Sequence, residues 1–265
     1  MQTVTDKAVP ETVRREIEAR LDSIEQTHDV RILLAVESGS RAWGFPSPDS
    51  DYDVRFLYVR SRRWYLSLKS GRDVIESPIE DEIDLNGWDI RKALGLLLKS
   101  NAVVGEWIES PIRYRPDHPV VAKLSALADR AMDMRAMAHH YASLGRNAAD
   151  RWLKDGGDVP VKKYFHALRP ALAIRCLRLH PGVRPPMNLQ ALVERCALPE
   201  AVQDEIAALV EAKRQSNERS NATRIAALDV LIRDELSRAG EVVAREVNSD
   251  ADTQAEQLFL ELVDI

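Results

Sequence analysis

Apolar residues recur along this chain at two periods, and the character of the pattern changes once. From residue 11 to 26, Val13, Ile17, Leu21 and Ile24 form one stripe among charges, which is helical spacing, and Pro10 stands ahead of it as a start signal. Short apolar runs follow at 31–36 and 53–59. They are too brief for helices and are bounded by Gly, Pro and Ser, so they predict strands. The largely polar segment 61–77 carries Trp64, Tyr65, Leu66 and Leu68, and predicts a flap of mixed structure. Glu80, Glu82 and Asp84 alternate with Ile79, Asp81, Ile83 and Leu85, the signature of a strand with one acidic face. Helices are expected at 89–99 and 103–108, and one more short strand at 112–114.

Beyond Pro116 the strand signals stop. Helical patterns are expected at 119–130, 132–154, 161–179, 189–195, 200–214, 217–238 and 253–263. A turn at 155–158 ends the second of these, Pro170 predicts a kink in the third, and 181–186 reads as a rigid loop. The expected organisation is an α/β front domain, residues 1–116, followed by an all-helical domain, residues 117–265.

Composition narrows the picture a little. A net charge of −5 and 45% hydrophobic residues describe an ordinary globular chain, not one that coats itself in nucleic acid by bulk charge, although a local basic groove is allowed. Cys176 and Cys196 lack metal-ligand spacing and read as reduced core thiols of a cytoplasmic protein. The N-terminal stretch has no apolar signal core, and no run is long enough to cross a membrane.

The candidate chemistry lies between residues 32 and 59, ILLAVESGSRAWGFPSPDSDYDVRFLYV. Asp51 and Asp53 are spaced to share one face at the mouth of a strand. A divalent cation between them or a plain solvated acidic turn would each account for such a pair. The wider set is more informative: a strand, the Gly39-Ser40 turn, Asp51 and Asp53 on a second strand, and Asp84 on a third. Nucleotidyl transfer needs this set. Three carboxylates hold two Mg²⁺ ions (Mn²⁺ also fits), one metal activating a hydroxyl and the other steadying pyrophosphate. Gly39 lets backbone approach phosphate, and Ser40 offers a hydroxyl and an N–H.

The pattern GSRAWGFPSPDSDYDVR resembles the DNA polymerase beta superfamily of nucleotidyltransferases, and more narrowly its RlaP-like group, named for RNA-repair pathways. The similarity continues through IDLNGWDIRKALGLLLKSNAVVGEWIESPIRY and KKYFHALRPAL. It implies a polymerase-beta-like α+β catalytic domain with a mixed sheet. It also implies Gly39 and Ser40 as phosphate contacts, and Asp51, Asp53 and Asp84 as metal ligands. An NTP would be the substrate, and an RNA end is one acceptor the association suggests. Ser38 and Tyr52 stand where the superfamily usually carries aliphatic residues.

Other residues admit both functional and plainer roles. Lys163, His166 and Arg169, spaced i, i+3, i+6, are expected to share a helix face and meet the triphosphate; a solvated face is the plain alternative. Arg41, beside Ser40, is the better phosphate candidate than Arg55. Glu37 reads as solvated, Trp43 and Phe45 as plugs under the loop, and Asn101 as a helix C-cap. Trp88, Trp107 and Trp152 read as core aromatics, and His139-His140 lacks ligand spacing. A catalytically silent nucleotide-binding or partner-binding module is the competing class. Transferases acting on proteins or small molecules, of the aminoglycoside or toxin type, would use the same carboxylates.

Overall fold

The computed structural model describes residues 9–69, 71–149, 157–217, 220–244 and 250–263. Helix α1 (Glu11–His28) leads into β1 (Val30–Glu37), a one-turn helix α2 (Ser40–Trp43) and β2 (Tyr52–Arg60). A second one-turn helix, α3 (Arg62–Tyr65), precedes β3 (Val74–Glu76), β4 (Ile83–Asp89), α4 (Ile90–Leu98) and α5 (Ala102–Glu109). The four strands form one mixed sheet in the order β1-β2-β4-β3. Strand β1 runs antiparallel to β2, β2 parallel to β4, and β3 antiparallel to β4. Residues 112–114 pair with β1 as expected, through Glu37 N–H to Ile112 O and Tyr114 N–H to Ala35 O.

The pleat of β2 decides where the site sits. Tyr52, Val54, Phe56 and Tyr58 point to one face and pack with Ile17, Leu21 and Ile24 of α1. Leu57 and Val59 point to the other face, into a larger core shared with α4 and the helices that follow. Asp51, Asp53 and Arg55 have the parity of Leu57 and Val59, so they face the helical half of the chain. A bulge in β1 between Ile32 and Leu34 lets Leu33 and Leu34 both join the larger core.

That half contains α6 (Val120–Ala131), α7 (Met134–Ala149), α8 (Val161–Leu179), α9 (Leu189–Arg195), α10 (Glu200–Arg214), α11 (Ala226–Ser237) and α12 (Ala251–Val263). A two-residue ladder, Val159–Pro160 against Asn221–Ala222, interrupts the helices. Helix α8 is buried on almost every side and runs through Pro170 to Leu179. Leu34 and Leu57 of the sheet belong to the same core as Leu172 and Ile232, so residues before and after 116 pack as neighbours.

Several local expectations are corrected. The acidic alternation at 80–85 is not one strand: Asp81 and Glu82 both have positive φ (53° and 61°), forming a two-residue turn closed between Glu80 and Ile83. Asp84 alone of the three acids stands on β4. Asn101 caps the start of α5, accepting the Val103 N–H at 2.9 Å, and does not end α4. The stretch expected as one helix from 217 to 238 begins instead with the short ladder, and its helix starts at Ala226. Trp107 is buried and lies 4.0 Å from Trp88, ring centre to ring centre, whereas Trp152 and the first half of the 155–158 turn lie outside the described residues.

Candidate active site

A cavity of about 240 Å³ opens where β2 begins, between the sheet and helices α8 and α10. The loop after β1 supplies Ser38, Gly39, Ser40, Trp43 and Phe45; β2 and the residue before it supply Asp51, Asp53 and Arg55; the helices supply Lys162, His166 and Lys213.

Gly39 fits its position for two separate reasons. Its backbone has φ 76° and ψ −155°, a conformation essentially reserved for glycine. A Cβ there would also lie 2.0 Å from Asp53 Oδ2. The carboxylate thus rests directly against the Gly39 backbone. Neighbouring groups fix Asp53 further: its carbonyl accepts the Ser38 N–H at 2.8 Å, and its own N–H donates to Glu37 Oε1 at 3.0 Å.

Glu37 is fully buried, which corrects the expectation of a solvated acid. Its other carboxyl oxygen takes a short hydrogen bond from the Tyr114 hydroxyl. Burial pushes its pKa up to about 8, Asp53 adds to the rise, and the Tyr114 hydrogen bond opposes it. Glu37 therefore acts as a buried brace for the Asp53 backbone.

Asp53 is itself raised to about 6, first by burial and then by Asp84 and Asp51, while Arg55 and Lys162 pull the other way. Parallel pairing sets Asp53 beside Asp84 in register. Arg55 spans the two, with Nη2 3.0 Å from Asp53 Oδ1 and 2.7 Å from Asp84 Oδ2. Of the two candidate arginines, Arg55 lines the cavity. Arg41 does not: its guanidinium lies 3.9 Å from the centre of the Tyr52 ring and donates to the Ser50 carbonyl.

The helical wall differs from the expected one by one position. His166 lines the cavity, but Lys163 is exposed and outside it, and Lys162 takes its place. Arg169 is also outside. It is buried, pairs with Glu106 at 2.8 Å and lies 4.3 Å from the centre of the Trp43 ring. The reason is angular. Lys163 is turned about 100° from Lys162, and Arg169, on the Lys162 side, lies about two turns further along the helix, whereas i and i+4 stay close. Lys162 and His166 are such a pair. His166 sits edge-on to Trp43 at 5.3 Å. Burial, and then the Lys162, Arg169, Lys163 and Lys213 charges, lower its pKa to about 4, so it is a neutral imidazole near pH 7.

Lys213 was missed altogether. Its side chain is only 1% exposed, and its Nζ lies 3.3 Å from Ser47 Oγ. A signal was there: Lys213 continues the apolar stripe Ile206, Leu209, Val210 of α10 at helical spacing. A lysine on an apolar stripe is costly to bury unless an anion or polar group meets it. Phe45 is the expected plug, stacked on Phe165 at 4.2 Å, and both it and Trp43 reach the cavity wall.

Among the described residues no three His, Cys, Asp or Glu side chains converge closely enough to enclose a metal ion by themselves. The donor chemistry still suits Mg²⁺, which takes one or two carboxylates and completes its shell with water and substrate phosphates. Asp51 and Asp53 offer that pair on one face, and the raised Asp53 marks a place where added positive charge relieves repulsion.

Two comparisons complete the picture. The chain is 39% identical to uncharacterized protein YcgL of Bacillus subtilis (strain 168) over 246 residues, 93% of this chain and 94% of that one. A second match is 25% identical over 134 residues to the tRNA (34-2'-O)-methyltransferase regulator WDR6 of Drosophila melanogaster, covering 49% of this chain and 13% of that protein. Residues 13–261 match the family described as RlaP, RNA repair pathway DNA polymerase beta family, and on that match the chain belongs to it.

Proposed function

We propose that this protein transfers a nucleoside monophosphate from an NTP to an acceptor hydroxyl, releasing pyrophosphate. One observation carries the reading: carboxylates from one strand form one wall of a cavity, and two helix-borne lysines form the other. Asp51 and Asp53 would hold Mg²⁺ or Mn²⁺, two ions in the full complex, with Asp84 as the third carboxylate beside them in register. Bound metal supplies charge neutralisation at the phosphates and lowers the pKa of the attacking hydroxyl.

The chain's own groups supply the remainder. The Gly39 backbone and the Ser40 hydroxyl meet the leaving end of the triphosphate, where a side chain at 39 would intrude. Lys162 and Lys213 balance the phosphates from the far wall, the role first expected of Lys163 and Arg169. His166, neutral beside them, offers a hydrogen bond without a full charge. Arg55 holds Asp53 and Asp84 together; Asp53 lines the cavity, and Asp84 stands next to it outside the lining. In this reading residues 1–116 carry the chemistry, residues 117–265 close the nucleotide site, and the enzyme works in the cytoplasm with an RNA end as the acceptor class.

Arg55 also favours a second reading. A guanidinium already neutralises two of the three acids, as in a nucleotide-binding module without transfer activity. Incubating the protein with each labelled NTP, Mg²⁺ and a panel of RNA, protein and small-molecule acceptors decides between them. Transfer that disappears in Asp53→Asn supports the enzyme. NTP binding with no transfer to any acceptor supports the silent module.

A further inference from the structure

Arg41 stands next to the catalytic cavity without lining it, and its contacts bracket Asp51. It follows Ser40 in the one-turn helix α2. Neighbouring residues of a helix point about 100° apart, so Ser40 faces the cavity while Arg41 reaches away from it. Arg41 Nη2 donates to the Ser50 carbonyl at 2.6 Å, and the guanidinium carbon lies 3.9 Å from the centre of the Tyr52 ring. Ser50 and Tyr52 are both buried, and they are the two chain neighbours of Asp51. Ser47 holds Ser50 in turn: its N–H donates to Ser50 Oγ at 3.0 Å, and its carbonyl accepts the Ser50 N–H at 3.1 Å. The Arg41 cation also lies close enough to buried Glu37 to oppose the rise in its pKa, and Glu37 accepts the Asp53 N–H.

The two acids of the pair are anchored differently. Asp53 lies inside β2, with Asp84 beside it in the ladder and Gly39 against its carboxylate. Asp51 precedes Tyr52, the first residue of β2, so the register of the sheet does not reach it. Its place depends on the segment that delivers it to the strand. A guanidinium is planar and forked, so it can lie on a ring and still direct an N–H at a carbonyl. An aliphatic side chain at 52 would fill the core shared with α1 but would give that guanidinium no face to lie on. Neither Arg41 nor Tyr52 lines the cavity, so any effect they have on chemistry there passes through the residues they hold.

We propose that Arg41, stacked on Tyr52, is a positioning residue that fixes Asp51 as a metal ligand relative to the Gly39-Ser40 turn. This role rests on Asp51 and Asp53 being the Mg²⁺ ligands of nucleotidyl transfer, and it involves no contact between Arg41 and phosphate.

The test compares the full-length protein with Arg41→Lys, Tyr52→Leu, Tyr52→Phe and the double variant Arg41→Lys/Tyr52→Leu. Mn²⁺ affinity is read from the electron spin resonance of free Mn²⁺, kcat and KM for ATP from transfer, and folding from thermal melting. Arg41→Lys keeps the charge but loses the planar fork, Tyr52→Leu keeps an apolar side chain but loses the ring, and Tyr52→Phe keeps the ring. Mn²⁺ binding should weaken about tenfold in Arg41→Lys and in Tyr52→Leu, the low end of the range for groups that orient a metal ligand. The kcat should fall with it while KM for ATP hardly moves. Tyr52→Phe should restore Mn²⁺ affinity, and the double variant should be no weaker than the weaker single one, because both break the same stack. Wild-type Mn²⁺ affinity in folded Arg41→Lys overturns the proposal. A raised KM for ATP with Mn²⁺ affinity unchanged also overturns it, in favour of a direct phosphate contact. If Arg41→Lys does not fold, Tyr52→Leu and Tyr52→Phe decide by the same Mn²⁺ measurement, and equal affinities overturn the proposal. Wild type with no affinity for Mn²⁺ removes Asp51 as a ligand and the proposal with it. Mn²⁺ binding decides the matter even where wild type modifies no acceptor, a result that removes the nucleotidyl-transfer reading alone.

Discussion

Replacing Gly39 by alanine tests the geometry of the site at its most constrained point. Two costs arise from one methyl group. The backbone at φ 76° and ψ −155° is disfavoured for a residue with a Cβ, at about 1–3 kcal/mol. The new Cβ would also stand 2.0 Å from Asp53 Oδ2 and 2.7 Å from its Cγ, so the carboxylate must move. Asp53 has little room to retreat, because Ser38 and Glu37 pin its backbone on both sides. Unfolding entropy for 265 residues is about 0.6 kcal/mol per kelvin, so the strain lowers Tm by roughly 2–5 °C. Gly44→Ala is the matched control. Gly44 also has positive φ, at 92°, and its Cβ would meet the ends of the Gln190 and Asn188 side chains at 2.1 and 2.6 Å, away from the acids. Both variants should lose comparable Tm in calorimetry. Only Gly39→Ala should lose Mn²⁺ binding, read by the electron spin resonance of free Mn²⁺, and transfer with it. If Gly39→Ala keeps wild-type Mn²⁺ affinity, Asp53 is not seated as a ligand against that backbone and the site is misread.

Further outcomes follow from the same contacts. Asp51→Asn and Asp53→Asn should each abolish transfer while Tm stays level or rises, because the Asp53 carboxylate is already disfavoured by burial and by its acidic neighbours; a large fall in Tm would contradict this. Lys213→Met should raise the KM for NTP strongly and Lys163→Ala hardly at all, and equal effects would mean that the cavity wall is wrongly drawn. Arg169→Ala should cost about 3–5 kcal/mol in chemical unfolding by stranding buried Glu106, and a near-neutral result would show that the pair is not isolated from water. Glu37 binds its proton more tightly in the fold than in the unfolded chain, so its contribution is present below pH 4.5 and is lost as pH rises toward about 8. His166 has the opposite sign: its contribution is present above pH 6.5 and is lost as pH falls toward about 4. Stability measured against pH should therefore lose part of its fall between pH 4.5 and about 8 in Glu37→Gln, and part of its fall between pH 6.5 and about 4 in His166→Gln; unchanged slopes in these windows would contradict the burial of these groups.

The parts of this molecule legible in sequence are those written in one period over one element. The stripe of α1, the apolar cores of β1 and β2, and the parity of Asp51 and Asp53 are all local, and the structure has them where the spacing put them. The acidic run at 80–85 failed because turn chemistry competes with alternation. Two positive-φ residues, Asp81 and Glu82, can be read as strand or as a hairpin turn, and only the partner strand decides. Glu37 failed for a related reason. It ends a strand next to a polar loop, where an acid is usually solvated, and the burial comes from Tyr114, seventy-seven residues later in the chain.

The helical wall shows where the same logic is recoverable. Lys163, His166 and Arg169 look regular in the sequence, yet steps of three residues turn steadily away from a fixed direction. Counting by four from His166 finds Lys162, the residue that faces the acids. Arg169 lies seven from Lys162 and shares its side of the helix, but about two turns further along, where Glu106 and Trp43 meet it. Lys213 comes from a separate helix, and no spacing relates it to the others. Its place on the apolar stripe of α10 was the available clue, since a buried lysine asks for an anion. A triphosphate held between Lys213, Lys162 and the carboxylates of β2 would engage both helices at once, so nucleotide binding and the packing of α10 against α8 should be energetically coupled.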